Sequence, residues 1–337
     1  MIKIFALNPN VGSAIEYMGN TVVSWLKEIG DVYDCKHQTR TSHYLKFMYE
    51  YKPDIIVTNE LYSRAVAAAN IYKHLTGTPF IHVDHVWKRL NSSRGGCREI
   101  YEYEVIKEVR EEANWIFCVN YKPSYEPWHK RIEHKVSNRY YATNPDVFKV
   151  VTPWLDRDMF CYIGNMLPHK LSSDFLAKVC DTDLVVDCYG SDLTTNDSYG
   201  RSFKRAQELG NINYKGLIPQ DKIAEIMNKY KYLVLPHCGY EPFNWVLKQC
   251  IYCGTIPLIT NDRDSQLYDG KWLDWATGLY MGCKFTNDFI NNLKEFDAER
   301  PDHSDWSESI STQAKTLFPY QEFKEEFQSK VRELLNG

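Results

Sequence analysis

The densest chemistry in the chain lies in YLVLPHCGYEPFNWVLKQCIYCGTIPLIT, residues 232–260. An apolar run ends at Pro236 and the loop HCGYE follows. Pro242 stands where a first helical residue belongs, since the N–H it lacks would have no partner there. The pattern predicts a helix over Phe243–Cys253 that stops at Gly254, with a strand resuming at Ile256. The unpaired N–H groups of Phe243, Asn244 and Trp245 then form an anion site suited to a diphosphate. Glu241 precedes that helix and Gln249 follows eight residues later. Eight residues make two turns plus about 80°, roughly 12 Å along the axis. The pair could therefore hold a sugar hydroxyl at one end and a ribose at the other. The alternative is a plain helix with an acidic cap.

Further candidates stand where strands run into turns. CYIGNMLPHK, residues 161–170, ends a strand at Gly164 and places Lys170 six residues on; a phosphate ligand and a solvated surface lysine are both open readings. VVDCYGSD (185–192) and YKGLIP (214–219) are two more such turns, and NPNVGSA (8–14) is the first turn of the chain, where Gly12 and Ser13 open a helix. FIHVDHVWKRLNSSRGGCR (80–98) brings His82, Asp84 and His85 to a strand end. A histidine with a carboxylate can orient an acceptor hydroxyl; a hydrogen-bonded core histidine is the alternative for His82. Lys88, Arg89, Arg94 and Arg98 follow in a Gly/Ser-containing loop, and Lys122, Lys130 and Arg131 lie in an aromatic, basic stretch over 121–140. Such residues suit phosphate contacts or a solvated loop. Cys250 and Cys253 form a C-x-x-C with no second pair at zinc spacing, so no metal site is expected.

These turns need parallel sheets to position them. Strands are expected at Ile2–Leu7, Asp54–Thr58, Pro79–Val83 and Trp115–Val119, with helices at Ala14–Ile29, Tyr62–Leu75 and Ile100–Glu112 between them. The plan repeats with strands at Met159–Ile163, Leu184–Tyr189, Ile212–Tyr214, Tyr232–Leu235 and Ile256–Ile259, and helices at Leu171–Cys180, Ser202–Leu209 and Gln220–Tyr230. Strand–helix alternation implies doubly wound α/β domains. With 337 residues the chain exceeds one ordinary core, so two Rossmann-like domains are expected, 1–150 and 151–319. Between them runs an irregular segment that crosses near Asn144–Trp154. A closing amphipathic helix over 320–337 should pack back on the first domain. Two facing domains of this kind leave a cleft at the carboxyl ends of both sheets.

Residues 1–150 carry 20 Lys+Arg against 17 Asp+Glu, and residues 151–337 carry 20 against 27. A polyanionic partner therefore meets the first domain more easily. No apolar stretch is long enough to span a membrane. The ten cysteines sit mostly among apolar neighbours, as packed thiols of a cytoplasmic protein do.

The 232–260 segment resembles the donor signature of retaining GT-B glycosyltransferases, in which a Glu, seven residues and a second Glu precede a Gly-x-x-Pro turn. Glu241 matches the first acid, Gln249 replaces the second, and Gly254–Pro257 match the turn. The resemblance implies a two-domain GT-B enzyme with a UDP-sugar donor and no required metal or other cofactor. It implies that Lys170 clamps the diphosphate, with Asn165 where an Arg is usual. Tyr189 then belongs to the floor of the donor pocket, the backbone of Gly216, Leu217 and Ile218 meets the base, and Gly12 and Ser13 approach the transferred sugar.

More loosely, the whole chain resembles the DNA α-glucosyltransferases of T-even bacteriophages, which glucosylate 5-hydroxymethylcytosine in duplex DNA. DIIVTNE (54–60), VDHVWKRLN (83–91), TNPDVFKV (143–150), YIGNMLPHK (162–170) and CGTIP (253–257) carry this likeness. It implies catalytic roles for Asp84 and His85 beside Glu241. It also implies a double-stranded DNA partner contacted by His82, Lys88, Arg89, Arg94, Arg98, Lys122, Lys130 and Arg131. A GT-B enzyme with a glycan acceptor and a degenerate GT-B binding protein are the rival readings.

Overall fold

The computed structural model describes residues 1–8, 14–36, 38, 40–59, 63–84, 107–118, 129–138, 143–236, 245–260 and 286–337. It divides into two compact units, Met1–Tyr141 with Gln321–Gly337, and Ala142–Tyr320.

The first unit holds a six-stranded parallel sheet in the order β2-β1-β3-β4-β5-β6. Its strands are β1 (Lys3–Asn8), β2 (Asp31–Lys36), β3 (Ile55–Thr58), β4 (Phe80–Asp84), β5 (Trp115–Cys118) and β6 (Val136–Asn138). Ile4, Phe5, Ala6 and Leu7 of β1, and every residue of β3 and β4, are buried. Continuous apolar runs are what a parallel sheet covered on both faces demands. Edge strand β2, DVYDCK, has an exposed start and buries only Cys35, which is why no apolar run announces it. Helices Ala14–Lys27, Thr41–Tyr51 and Ser63–Thr76 pack on this sheet, and residues 107–112 are helical. The helix Tyr320–Asn336 docks here too. Its Phe327 lies 4.5 Å from the Phe117 ring, Gln328 Nε2 donates to the Trp25 carbonyl at 2.8 Å, and Lys324 pairs with Glu28 at 2.7 Å.

The second unit has a five-stranded parallel sheet in the order β11-β10-β7-β8-β9. Its strands are β7 (Asp158–Ile163), β8 (Val186–Tyr189), β9 (Ile212–Gly216), β10 (Tyr230–Leu235) and β11 (Ile256–Ile259). Central β10 is buried throughout. Helix Ser173–Val179 is capped by Ser172 Oγ, which accepts from the Phe175 N–H at 3.1 Å. Helix Ser198–Glu208 begins four residues earlier than the apolar spacing predicts, because Asp197 caps it through the Gly200 N–H at 2.8 Å. The predicted helix Gln220–Tyr230 is cut to a 3₁₀ turn, Gln220–Lys222, and Ile223–Met227, since Tyr230 already opens β10. Helices Trp245–Tyr252, Thr286–Glu299 and Ser304–Leu317 complete the unit.

The segment 143–150, read from sequence as the end of the first domain, packs in the second unit. Phe148 is buried, and Asn228 grips the backbone there: its Nδ2 donates to the Lys149 carbonyl at 3.0 Å and its Oδ1 accepts from the Val151 N–H at 2.8 Å.

Candidate functional site

In the second unit three strand-end turns are laced together by main-chain hydrogen bonds. The Gly164 N–H donates to the Tyr189 carbonyl (2.9 Å), the Met166 N–H to the Ser191 carbonyl (3.0 Å), and the Gly190 N–H to the Gly216 carbonyl (2.9 Å). Gly190 has φ +140°, and a Cβ there would sit 1.9 Å from the Gly164 oxygen, so only glycine lets the two turns meet. Tyr162 and Tyr214 fasten the same edge, donating to the carbonyls of Asn165 and Gly190 at 2.9 Å each.

Asn165 is exposed on this edge and Lys170 half-buried, its N–H bonded to the Leu167 carbonyl. Two residues later the Ser172 N–H donates to the Pro236 carbonyl at 3.2 Å. That bond brings the 164–172 turn to Pro236 at the end of β10, within the 232–260 segment. Sequence reading picked out both segments; the structure makes them neighbours. Glu241, Pro242, Phe243 and Asn244 themselves lie outside the described residues.

Helix Trp245–Tyr252 follows. Trp245 and Gln249 are both buried, and among the described residues no group hydrogen-bonds to the Gln249 side-chain amide. That amide can both donate to and accept from a ligand hydroxyl. Lys248, on the same helix, is turned into the core. It is fully buried, its Nζ lies 4.6 Å from the Phe318 ring centroid, and burial holds its pKa well below the lysine range.

Tyr189, expected on the floor of the donor pocket, is partly buried. Its hydroxyl meets that of Tyr230 at 2.8 Å, and Tyr230 donates to Asp187 Oδ2 at 2.6 Å. The Tyr189 hydroxyl is then the donor in the pair, and the residue's carbonyl serves the edge by accepting from the Gly164 N–H. Gly216 serves likewise through its carbonyl, while the Leu217 side chain is 69% exposed and Ile218 half-buried.

In the first unit the carboxyl end of β4 is a buried ionic cluster. Arg110 Nε donates to Asp84 Oδ2 at 2.5 Å, and both residues are 2% exposed. His82, spaced two residues from Asp84 on the same face of the strand, has its Nε2 3.9 Å from Asp84 Oδ2. Its Nδ1 is 2.7 Å from Thr58 Oγ1 on β3. Thr58 donating to Nδ1 leaves the Nε2 proton facing the Asp84 carboxylate, the tautomer this network favours. Burial, opposed by Asp84 and assisted by Arg110, lowers the His82 pKa to about 4. His82 is thus a neutral core histidine at 5% exposure, not a surface group for a DNA backbone, and this corrects the sequence expectation. Asp84 is held by Arg110, a residue sequence reading did not single out.

Lys130 and Arg131 are exposed, and Arg131 is ion-paired with Glu111. Gly12, Ser13, His85, Lys88, Arg89, Arg94, Arg98 and Lys122 lie outside the described residues. Among the described residues no group of three or more His, Cys, Asp or Glu side chains is placed to hold a metal ion. Cys250 and Cys253 are buried thiols that face carbonyls, those of Leu247 at 3.0 Å and Ala224 at 3.9 Å, and burial raises the pKa of both.

No protein-family model matches the chain, and no curated protein sequence does. Solved structures match along its whole length. HepE of Anabaena in complex with UDP and glucose superposes with a TM-score of 0.74 at 11% identity, covering 99% of this chain and 100% of that one. A glycosyltransferase from Rickettsia africae gives a TM-score of 0.66 at 12% identity, covering 99% and 98%. AviGT4, a glycosyltransferase involved in avilamycin A biosynthesis, gives 0.63 at 13% identity, covering 100% and 99%. The chain has the GT-B fold, built from two parallel-sheet Rossmann-like α/β units.

Proposed function

We propose that the chain is a retaining glycosyltransferase that takes its sugar from a UDP-sugar. The observation that carries this is the carboxyl edge of the second sheet, where the Gly164 and Gly190 turns meet by main-chain bonds and Ser172 ties the turn of Lys170 to Pro236 at the end of β10. Support comes from a protein of like fold that is known with UDP-glucose bound, HepE.

In this reading Lys170 and the N–H groups of Phe243, Asn244 and Trp245 stabilise the leaving diphosphate. Glu241 holds hydroxyls of the sugar. Gln249 bonds a ribose hydroxyl, and main-chain groups of Gly216, Leu217 and Ile218 take the base. Gly12 and Ser13 approach the transferred sugar. Positive groups and the helix dipole supply the charge stabilisation, so no metal or other cofactor is required. The departing phosphate oxygen takes the acceptor's proton on the face it leaves, which retains the anomeric configuration.

The first domain is assigned the acceptor and the second the nucleotide sugar. The finer reading of the acceptor is 5-hydroxymethylcytosine in duplex DNA, with Asp84 and His85 near the reacting hydroxyl and a basic track of Lys88, Arg89, Arg94, Arg98, Lys122, Lys130 and Arg131. It rests on the sequence likeness through DIIVTNE, VDHVWKRLN and TNPDVFKV. The target base must leave the stack to react. Buried reduced thiols fit a cytoplasmic setting, and no helix among the described residues is long and apolar enough to cross a membrane.

The test is incubation with UDP-glucose, UDP-N-acetylglucosamine or a UDP-pentose and three acceptors: hydroxymethylated duplex DNA, unmodified duplex DNA and a lipopolysaccharide core oligosaccharide. UDP release and product mass are measured. A mass increase on the hydroxymethylated base supports the finer reading, and turnover of the oligosaccharide alone replaces it with a glycan acceptor. UDP binding without turnover reduces the chain to a binding protein. Full activity in Glu241→Ala refutes the donor-site reading.

A further inference from the structure

At the carboxyl edge of the first sheet, a chain of side-chain amides runs across three elements. Asn59, just after β3, donates from Nδ2 to Asn8 Oδ1 at 3.3 Å. Asn8, the last residue of β1, donates from Nδ2 to Asn20 Oδ1 at 3.0 Å. Lys36, the last residue of β2 and in register with Asn8, donates from Nζ to the same Asn20 oxygen at 3.0 Å. Asn8 and Asn59 are buried, whereas Asn20 is exposed on the Ala14–Lys27 helix. The cluster lies against bare helix backbone, for a Cβ on Gly19 would fall 1.7 Å from Asn8 Oδ1 and 2.2 Å from Asn59 Nδ2.

The polarity of this chain is set by one residue. A lysine ammonium only donates, so Asn20 must turn its oxygen toward Lys36. The same oxygen then receives Asn8 Nδ2, which leaves Asn8 Oδ1 to accept from Asn59. Asn20 Nδ2 consequently points away from the cluster, with two N–H donors that meet no partner among the described residues. Lys36 is itself balanced by Asp34 at 3.1 Å, so the pair of donors is presented without a large net charge.

We propose that Asn20 is an acceptor-specificity residue whose outward amide donates to an oxygen of the acceptor molecule, with Lys36 and Asn8 as positioning residues that hold it in that orientation. The inference rests on the transferase reading above, which assigns the acceptor to the first domain. A binding group at this place suits the rule that α/β sheets take ligands at their carboxyl ends. The recognised chemistry is a carbonyl or phosphoryl oxygen, which only accepts; all-donor groups reject an N–H at the same position.

Asn20→Asp separates recognition from structure. The aspartate still accepts from Lys36 and Asn8 but turns an acceptor outward in place of a donor. With the three acceptors above, whichever the wild type turns over should show an acceptor KM raised at least about 10-fold in Asn20→Asp, because the outward carboxylate oxygen repels the acceptor oxygen that the amide N–H had bonded. Donor KM, acceptor-free hydrolysis of UDP-glucose and melting temperature should stay unchanged. Lys36→Met, which frees the amide to rotate, should raise acceptor KM by a smaller factor at unchanged kcat. Wild-type acceptor KM in Asn20→Asp overturns the inference while leaving the transferase reading intact. Binding of UDP by the wild type without turnover of any acceptor overturns the inference and the transfer step, and absence of UDP binding overturns the donor site as well.

Discussion

His82 makes the stability of the first unit depend on acid in a calculable way. Its pKa falls from an ordinary 6.5 to about 4 in the folded chain because the ring is buried, with Asp84 opposing and Arg110 assisting. The unfolded chain therefore binds a proton between those two values while the folded chain does not. Linkage then requires stability to fall as pH drops through that window. Above pH 6.5 the contribution is fully present, and below pH 4 it is lost. At about 1.4 kcal/mol per pH unit, the span from 6.5 to about 4 corresponds to about 3 kcal/mol. The assay is urea unfolding between pH 7 and pH 4, followed by tryptophan fluorescence, of the wild type and His82→Gln. Carboxylates titrate in both proteins, so the difference between the two isolates the histidine. The stability advantage of the wild type should shrink by about 3 kcal/mol across the window. An advantage that is constant with pH, or that grows toward pH 4, would refute the buried neutral histidine and the Thr58–His82 bond that defines it.

Asp84→Asn leaves the Arg110 guanidinium buried against a neutral amide, and should destabilise the protein by about 3–5 kcal/mol in chemical unfolding, as breaking a buried ion pair does. Gly190→Ala drives a Cβ into the Gly164 oxygen and should cost at least about 2 kcal/mol while weakening UDP binding in calorimetry; unchanged binding would detach the laced turns from the donor site. Gln249→Glu places a carboxylate at a buried amide position, so melting temperature should fall without ligand, whereas UDP should bind more tightly by up to about 10-fold through a charged hydrogen bond to ribose. Gly19→Ala should collapse the Asn8–Asn20–Asn59 chain and lower melting temperature, with acceptor KM rising and donor KM constant.

Several elements escaped the periodicity reading for physical reasons. Strand β2 lies at a sheet edge, so its charged, partly exposed sequence shows no apolar run. Helices Thr41–Tyr51, Thr286–Glu299 and Ser304–Leu317 are rich in polar and aromatic residues that blur an apolar stripe. By contrast, β1, β3, β4 and β10 are buried on both faces and were legible as uninterrupted apolar runs. Asn165, Lys170 and Gln249 were singled out by their places after strands and in a helix, and their roles belong to the proposed donor site. His82 is a core residue and not a DNA contact, because an imidazole at a strand end reads the same whether it faces a ligand or a neighbour.

The amino-acid order alone determined the alternation of strands and helices, the two α/β halves and the turns that end at Gly164, Gly190 and Gly254. These follow from local preferences, in which each residue answers to others a few positions away. Tertiary structure alone decided which polar atoms meet. Thr58 and His82 are 24 residues apart, Asp84 and Arg110 26, Asn8 and Asn59 51. The strand order brings them together, and no periodicity along the chain encodes that order. Hydrogen-bond polarity is further still from the sequence, since it is the placement of Lys36 beside Asn20 that turns one amide outward.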